Sequence, residues 1–200
     1  ANHEKRGAPL AAYKLWQADA ARDAADAADA LFASGTDLGP FQGVPISVKD
    51  LFAVNGLPTF SGTPNRLPEA FEREGPVVGA LRGQQAVITG KTHTVEFAYG
   101  GVGVNNHWGS PRNPWDAKAH RVSGGSSSGA GVSLCEGSAL IALGSDTAGS
   151  VRVPASVTGN VGLKITHGRW PLAGITPLSP ALDTPGVLAR TVADTAIAFG

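Results

Sequence analysis

The chain has 200 residues, enough for one domain with a real core, and its 16 basic and 16 acidic side chains cancel. That balance, with no basic cluster interleaved with aromatics, argues against nucleic-acid binding and against an anionic membrane surface. A single cysteine, Cys135, excludes an internal disulfide framework and fits a reducing, cytoplasmic compartment, where it reads as a small buried helix residue.

Residues 8–33 are alanine-rich and predict an N-terminal helix that ends at Ser34-Gly35. Asp19, Asp23, Asp26 and Asp29 recur at three- and four-residue steps, which places them along one solvated face rather than around a metal. Val44–Val48 is a β-prone apolar run ending at Lys49. Pro76–Arg82 predicts a helix with proline in its first turn, and 86–89 a buried strand. The Gly90-Lys91-Thr92 step ends like a phosphate loop, but Gln85 stands where that loop needs glycine. His93 and Glu96 lack the second cluster a metal site needs, so no metal and no cofactor is expected. Phe97 and Tyr99 read as core residues.

Residues 100–125 are too rich in glycine, proline and asparagine for regular structure, and Trp108 and Trp115 within them either line an entrance or pack the loop. Ser128–Glu136 predicts a short helix, 139–143 a strand, Val161–Ile165 another strand and Thr191–Phe199 a terminal helix. No segment reaches the ~20 apolar residues of a membrane-spanning helix. Alternating strands and helices predict an α/β class: a mixed central sheet covered by helices on both faces.

Two Ser/Gly turns bracket the 128–143 stretch. The first is Gly124-Gly125-Ser126-Ser127-Ser128-Gly129; the second is Asp146-Thr147-Ala148-Gly149-Ser150. A hydroxyl needs a base before it becomes a useful nucleophile, and none of the five histidines sits in a recognised triad motif. Lysine is the alternative. Its pKa of ~10.4 must fall by about three units to serve near neutral pH, which burial can supply. Lys49, at the end of an apolar strand, suits that task. Glycine beside serine lets backbone N–H groups crowd a developing oxyanion.

These motifs resemble the amidase signature family. The resemblance rests on G-V-P-I-S-V-K-D at 43–50, G-G-S-S-S-G-A-G at 124–131, G-S-D-T-A-G-S-V-R-V-P-A-S at 144–156, V-G-L-K at 161–164 and L-A-R-T-V-A-D at 188–194. Ser150 lies 24 positions after Ser126, as in that family, and the likeness covers roughly residues 38–200. It implies Ser150 as nucleophile, Ser126 as bridging serine after a cis peptide, and Lys49 as general base. It implies Thr147, Ala148, Gly149 and Ser150 as the oxyanion turn, with Asp146, Arg152, Gly125 and Ser127 supporting them. Ala148 replaces a common glycine, Ser123 a common proline, and Ile165 departs from the usual continuation of V-G-L-K. None of these departures removes a reacting group.

The implied activity is hydrolysis of linear amides through an acyl-enzyme, with a small-molecule amide as substrate and no membrane or nucleic-acid partner. A homodimer is compatible with it. Family members are more than twice as long, so residues 1–200 are expected to be a single domain forming the N-terminal part of a truncated fold. Two other readings stay open: the ammonia-generating glutaminase component of a tRNA-dependent amidotransferase, and a non-catalytic truncated fragment.

Overall fold

The computed structural model describes residues 2–200, organised around one six-stranded mixed sheet. In chain order the regular elements are β1 (Tyr13–Trp16), α1 (Ala18–Ala33), β2 (Pro45–Lys49), α2 (Pro76–Gly83), β3 (Val87–Thr92) and α3 (Ser128–Glu136). Then follow β4 (Ile141–Asp146), α4 (Arg152–Thr158), β5 (Val161–Lys164), β6 (Thr184–Ala189) and α5 (Val192–Phe199). The strand order is β1-β3-β2-β4-β6-β5, with β2 parallel to both β3 and β4 and the remaining pairs antiparallel.

The two-residue period of a strand sorts the side chains onto two layers. Ile46, Val48, Ile141, Leu143 and Val187 join the larger core with Val77, Val78 and Leu81 of α2 and Ala198 of α5. Ala142 and Leu188 face the other way, into a core shared with Ala130 and Leu134 of α3 and Ala155 of α4. Both faces are therefore covered, as the sequence pattern implied. Ser47, between Ile46 and Val48, points to the α3 side and hydrogen-bonds Ser133 at 2.8 Å. Lys49, two residues on, shares that side.

Local signals set the helix ends. Pro76 opens α2, and Gly137 and Gly159 close α3 and α4 in the left-handed conformation. The Thr191 hydroxyl caps α5 by accepting from the Asp194 N–H at 3.0 Å.

Three expectations fail. The N-terminal helix begins at Ala18, not residue 8, because Tyr13, Leu15 and Trp16 pair with Thr92, Lys91 and Gly90 of β3. Tertiary pairing along a sheet edge outweighs the helix propensity of the surrounding alanines. Phe97 and Tyr99 are exposed rather than core, Tyr99 to 80 %. Phe97 has φ 46°, a left-handed turn that carries these rings outward. Cys135 lies on α3 but is only half-buried, because it sits near the helix end, where its thiol donates to Thr158 O at 3.2 Å. One strand was also unforeseen: β6 pairs with both β4 and β5 although its sequence begins Thr-Pro-Gly.

Candidate active site

Parallel strands β2 and β4 run side by side, so their C-terminal ends open at the same edge, the usual place for a ligand in an open α/β sheet. Lys49 is the last residue of β2, and Asp146, the last of β4, starts the turn that leads to Ser150. The loop into α3 supplies the third piece, Ser126, at the same edge. All three sequence-selected side chains thus converge, though 101 positions separate the first from the last.

Lys49 is wholly buried, with its Nζ 2.7 Å from Ser126 Oγ and 3.0 Å from Ser145 Oγ. Among the described residues no carboxylate forms an ion pair with it. Burial pulls its pKa down to about 7, against the weaker opposing pull of Asp146 and Asp183. Ser145 is a partner that sequence reasoning missed; its place directly before Asp146 in β4 was the available signal.

The peptide bond between Gly125 and Ser126 is cis. A side chain on Gly125 would come within 2.7 Å of the Gly100 carbonyl, so the loop 100–103 packs on it as only glycine permits. The Gly125 N–H donates to Gly101 O at 2.8 Å, and the Ser127 N–H donates to Ser150 O at 3.1 Å. That second bond joins the two serine turns through the backbone. Among the described residues no side-chain hydrogen bond joins Ser126 to Ser150. The Ser127 side chain turns away from the opening, donating to Ser145 O at 3.4 Å.

The turn carrying Ser150 is wrapped around the Asp146 carboxylate. Oδ1 accepts from the Gly149 N–H at 2.8 Å, and Oδ2 from Val151 and Arg152 N–H at 3.0 and 3.3 Å. Arg152 adds a two-pronged ion pair at 3.1 and 3.0 Å. Burial alone would raise the Asp146 pKa, but the Arg152 guanidinium and the three N–H donors hold it below the ordinary carboxylate value. Asp146 and Arg152 thus hold the turn through these bonds. Gly149 needs its glycine, having φ +126°. Its N–H points inward to Asp146 and so is not turned toward the cleft as the resemblance implied for an oxyanion donor.

A cleft of about 380 Å³ opens over this turn, and Thr147, Ala148, Gly149, Ser150, Gly125, Tyr99, Leu178 and Ser179 are among its lining residues. Tyr99, expected in the core, thus belongs to the cleft. Trp108 and Trp115 do not: their ring N–H groups donate to Thr63 O and Thr158 O, each at 2.7 Å, which packs the loop. His93 and Glu96 do not meet; Glu96 faces His107 at 3.3 Å. Among the described residues no cluster of three or more His, Cys, Asp or Glu side chains could hold a metal ion, and no helix is long and apolar enough to cross a membrane.

The family model described as Amidase matches residues 6–200. A 2-amino-5-chloromuconic acid deaminase of Comamonas testosteroni is 62% identical over 200 residues, covering 100% of this chain and 43% of that protein. A glutamyl-tRNA(Gln) amidotransferase component from Acidothermus cellulolyticus is 42% identical, covering 92% of this chain and 36% of that one. A crystal structure of an amidase superposes with a TM-score of 0.91 at 38% identity, covering 98% of this chain and 45% of that chain. The chain therefore spans less than half the length of these relatives.

Proposed function

The chain belongs to the amidase family, and we propose that its Lys49–Ser126–Ser150 group hydrolyses a carboxamide C–N bond through an acyl-enzyme on Ser150. The observation that carries the reading is the amine of Lys49: wholly buried, free of a carboxylate in contact, and 2.7 Å from Ser126 Oγ. With a pKa of about 7, it is substantially neutral at neutral pH and able to accept a proton.

Neutral Lys49 takes the proton of Ser126 as Ser126 takes that of Ser150. Ser150 Oγ forms a bond to the amide carbon, and the carbonyl π pair moves to oxygen. The oxyanion is held by the N–H groups of Thr147, Ala148 and Ser150. Collapse expels the amine, which leaves with the proton returned through Ser126, and water repeats the sequence on the ester to release the acid. The Ser150 hydroxyl turns onto Ser126 when substrate fills the cleft, a contact that catalytic groups commonly tighten only in the complex. The substrate is a small linear amide, the compartment cytoplasmic, and no cofactor takes part in any step.

A second reading follows from the 62% identity to the deaminase. There the same relay would activate an attack on the imine carbon formed from an amino-substituted diene acid. Water enters, ammonia leaves, and the product is an oxo acid instead of a carboxylic acid. The amidotransferase reading predicts glutaminase activity only in the presence of a partner protein.

Ammonia release from simple carboxamides, from a 2-aminomuconate and from glutamine separates the three. A fluorophosphonate probe tests their shared premise. Adduct formation on Ser150, lost in Ser150→Ala, is expected; folded protein that takes up no probe would favour an inert fragment and overturn the proposal.

A further inference from the structure

We propose that Asp183 is a positioning residue for this chemistry: its carboxylate ties the turn that carries Ser150 to the 178–179 segment that also lines the cleft. The inference rests on the amide-hydrolysis reading and adds a residue outside its three reacting side chains.

The placement follows from the sheet. Thr184 opens β6 opposite Asp146, the last residue of β4, so Asp183 arrives beside Thr147, the first residue of the turn. The Thr147 hydroxyl donates to Asp183 Oδ1. The other oxygen, Oδ2, accepts from the N–H groups of Leu178 and Ser179, each at 2.9 Å. The Asp183 N–H returns a bond to Ser179 O at 2.7 Å. Leu178 and Ser179 line the cleft together with Thr147 through Ser150. One buried carboxylate thus holds the two segments together.

The chemistry selects a carboxylate. Three donors converge on its two oxygens, and an acid anion, being acceptor-only, receives all three as they stand; asparagine could keep the Leu178 and Ser179 amides on its oxygen only by turning its NH₂ toward the Thr147 hydroxyl, which would then have to accept instead of donate. Burying an anion is costly without a countercharge, and among the described residues Asp183 joins no ion pair. The cost is met by the three donors; Lys49 lies near enough for Asp183 to favour its protonated form. Asp146 also faces Lys49, but Arg152 is paired with it. Asp50, next to Lys49 in sequence, is paired with Lys91. Asp183 is therefore the carboxylate near the base that lacks a cation of its own. Asp146 grips the turn from Gly149 onward, and Thr147 depends on Asp183 for its anchor.

The test uses the rate at which the fluorophosphonate probe modifies Ser150, followed against pH. Asp183→Asn is expected to lower the high-pH plateau by roughly ten- to a hundredfold, the loss expected when an oxyanion turn is no longer held in place. It is also expected to move the acidic limb to lower pH, because a negative charge that favoured protonated Lys49 is gone. Thr147→Val, which keeps the backbone N–H, should lower the plateau and leave the limb in place. A role confined to stability would move neither the limb nor the plateau of folded protein. Hydrogen exchange gives an independent reading: in Asp183→Ala, which removes both oxygens, the amides of Leu178 and Ser179 should lose protection even if wild-type protein takes up no probe. In that case the hydrolase reading fails and the clamp stands. A wild-type pH profile in Asp183→Asn, or unchanged protection of the two amides in Asp183→Ala, would overturn the inference.

Discussion

Two lysines lie wholly buried on adjacent strands, and their amines meet different partners. Lys49 closes β2, and Lys91 sits opposite Val48 on β3. Lys91 Nζ forms an ion pair with Asp50 at 2.7 Å and reaches Thr59 Oγ1 at 2.8 Å and Pro58 O at 3.1 Å. Burial lowers its pKa, but the Asp50 carboxylate in contact with it opposes that fall. Lys49 has the same burial with hydroxyls in place of a carboxylate, and its pKa comes down to about 7. Burial alone does not make a base; burial without a touching anion does. The Lys91–Asp50 pair has a structural task instead. Asp50 also receives the Phe60 N–H, and its carbonyl receives the Ser61 N–H, so the pair pins the 58–61 loop beneath the site.

Exchanging one property at a time breaks this contrast. The largest effect is on activity at the unpaired lysine: Lys49→Met, like Ser150→Ala, should lower turnover at least about a thousandfold, since members of one relay fail together. Its stability should move the other way. Between about pH 7 and 10.5 the unfolded chain holds a proton on Lys49 that the folded chain does not, so wild-type stability rises with pH through that window. Below it, the buried charge costs a few kcal/mol, offset in part by the bonds to Ser126 and Ser145. Lys49→Met removes that charge, so thermal unfolding should show a higher Tm relative to wild type near pH 6 than near pH 10.

Lys91→Met should do the reverse. It strands the Asp50 carboxylate in the core, which costs about 3–5 kcal/mol and lowers Tm by about 10 °C. Replacing both partners, Lys91→Met with Asp50→Leu, should recover most of that loss. Calorimetry on the single and double variants measures it.

Ser145→Ala sharpens the contrast more gently. It deletes one hydroxyl from the Lys49 amine and leaves Ser126, so a loss of about two- to tenfold in turnover is expected. The smallest effect belongs to the acidic face of α1. Asp26→Asn, exposed and remote from the cleft, should change stability by less than about 0.5 kcal/mol and leave activity unaltered.

The site residues could be read from the chain because each stands at a punctuation mark. Lys49 ends an apolar run, and Ser126 and Ser150 sit in glycine turns whose order and spacing are informative together. What stayed hidden depends on pairing across long separations. β1 is four residues among alanines, and only the register with β3 makes it a strand. β6 begins Thr-Pro-Gly, which reads locally as a turn, yet its partners on both sides hold it extended. Asp183 was missed for the same cause: nothing in Leu182-Asp183-Thr184 points to Thr147 until β6 is laid against β4. Tyr99 shows the opposite error, since an aromatic beside Ala98 reads as core, while the left-handed backbone at Phe97 and Ala98 turns it into the cleft.

In the proposed mechanism the charge state of one amine decides whether the relay can start, and an NMR titration of the lysine side chains observes it directly. One lysine, absent from spectra of Lys49→Met, should titrate with a midpoint near pH 7, well apart from the others. A spectrum in which every lysine stays protonated to pH 10 would contradict the proposed mechanism.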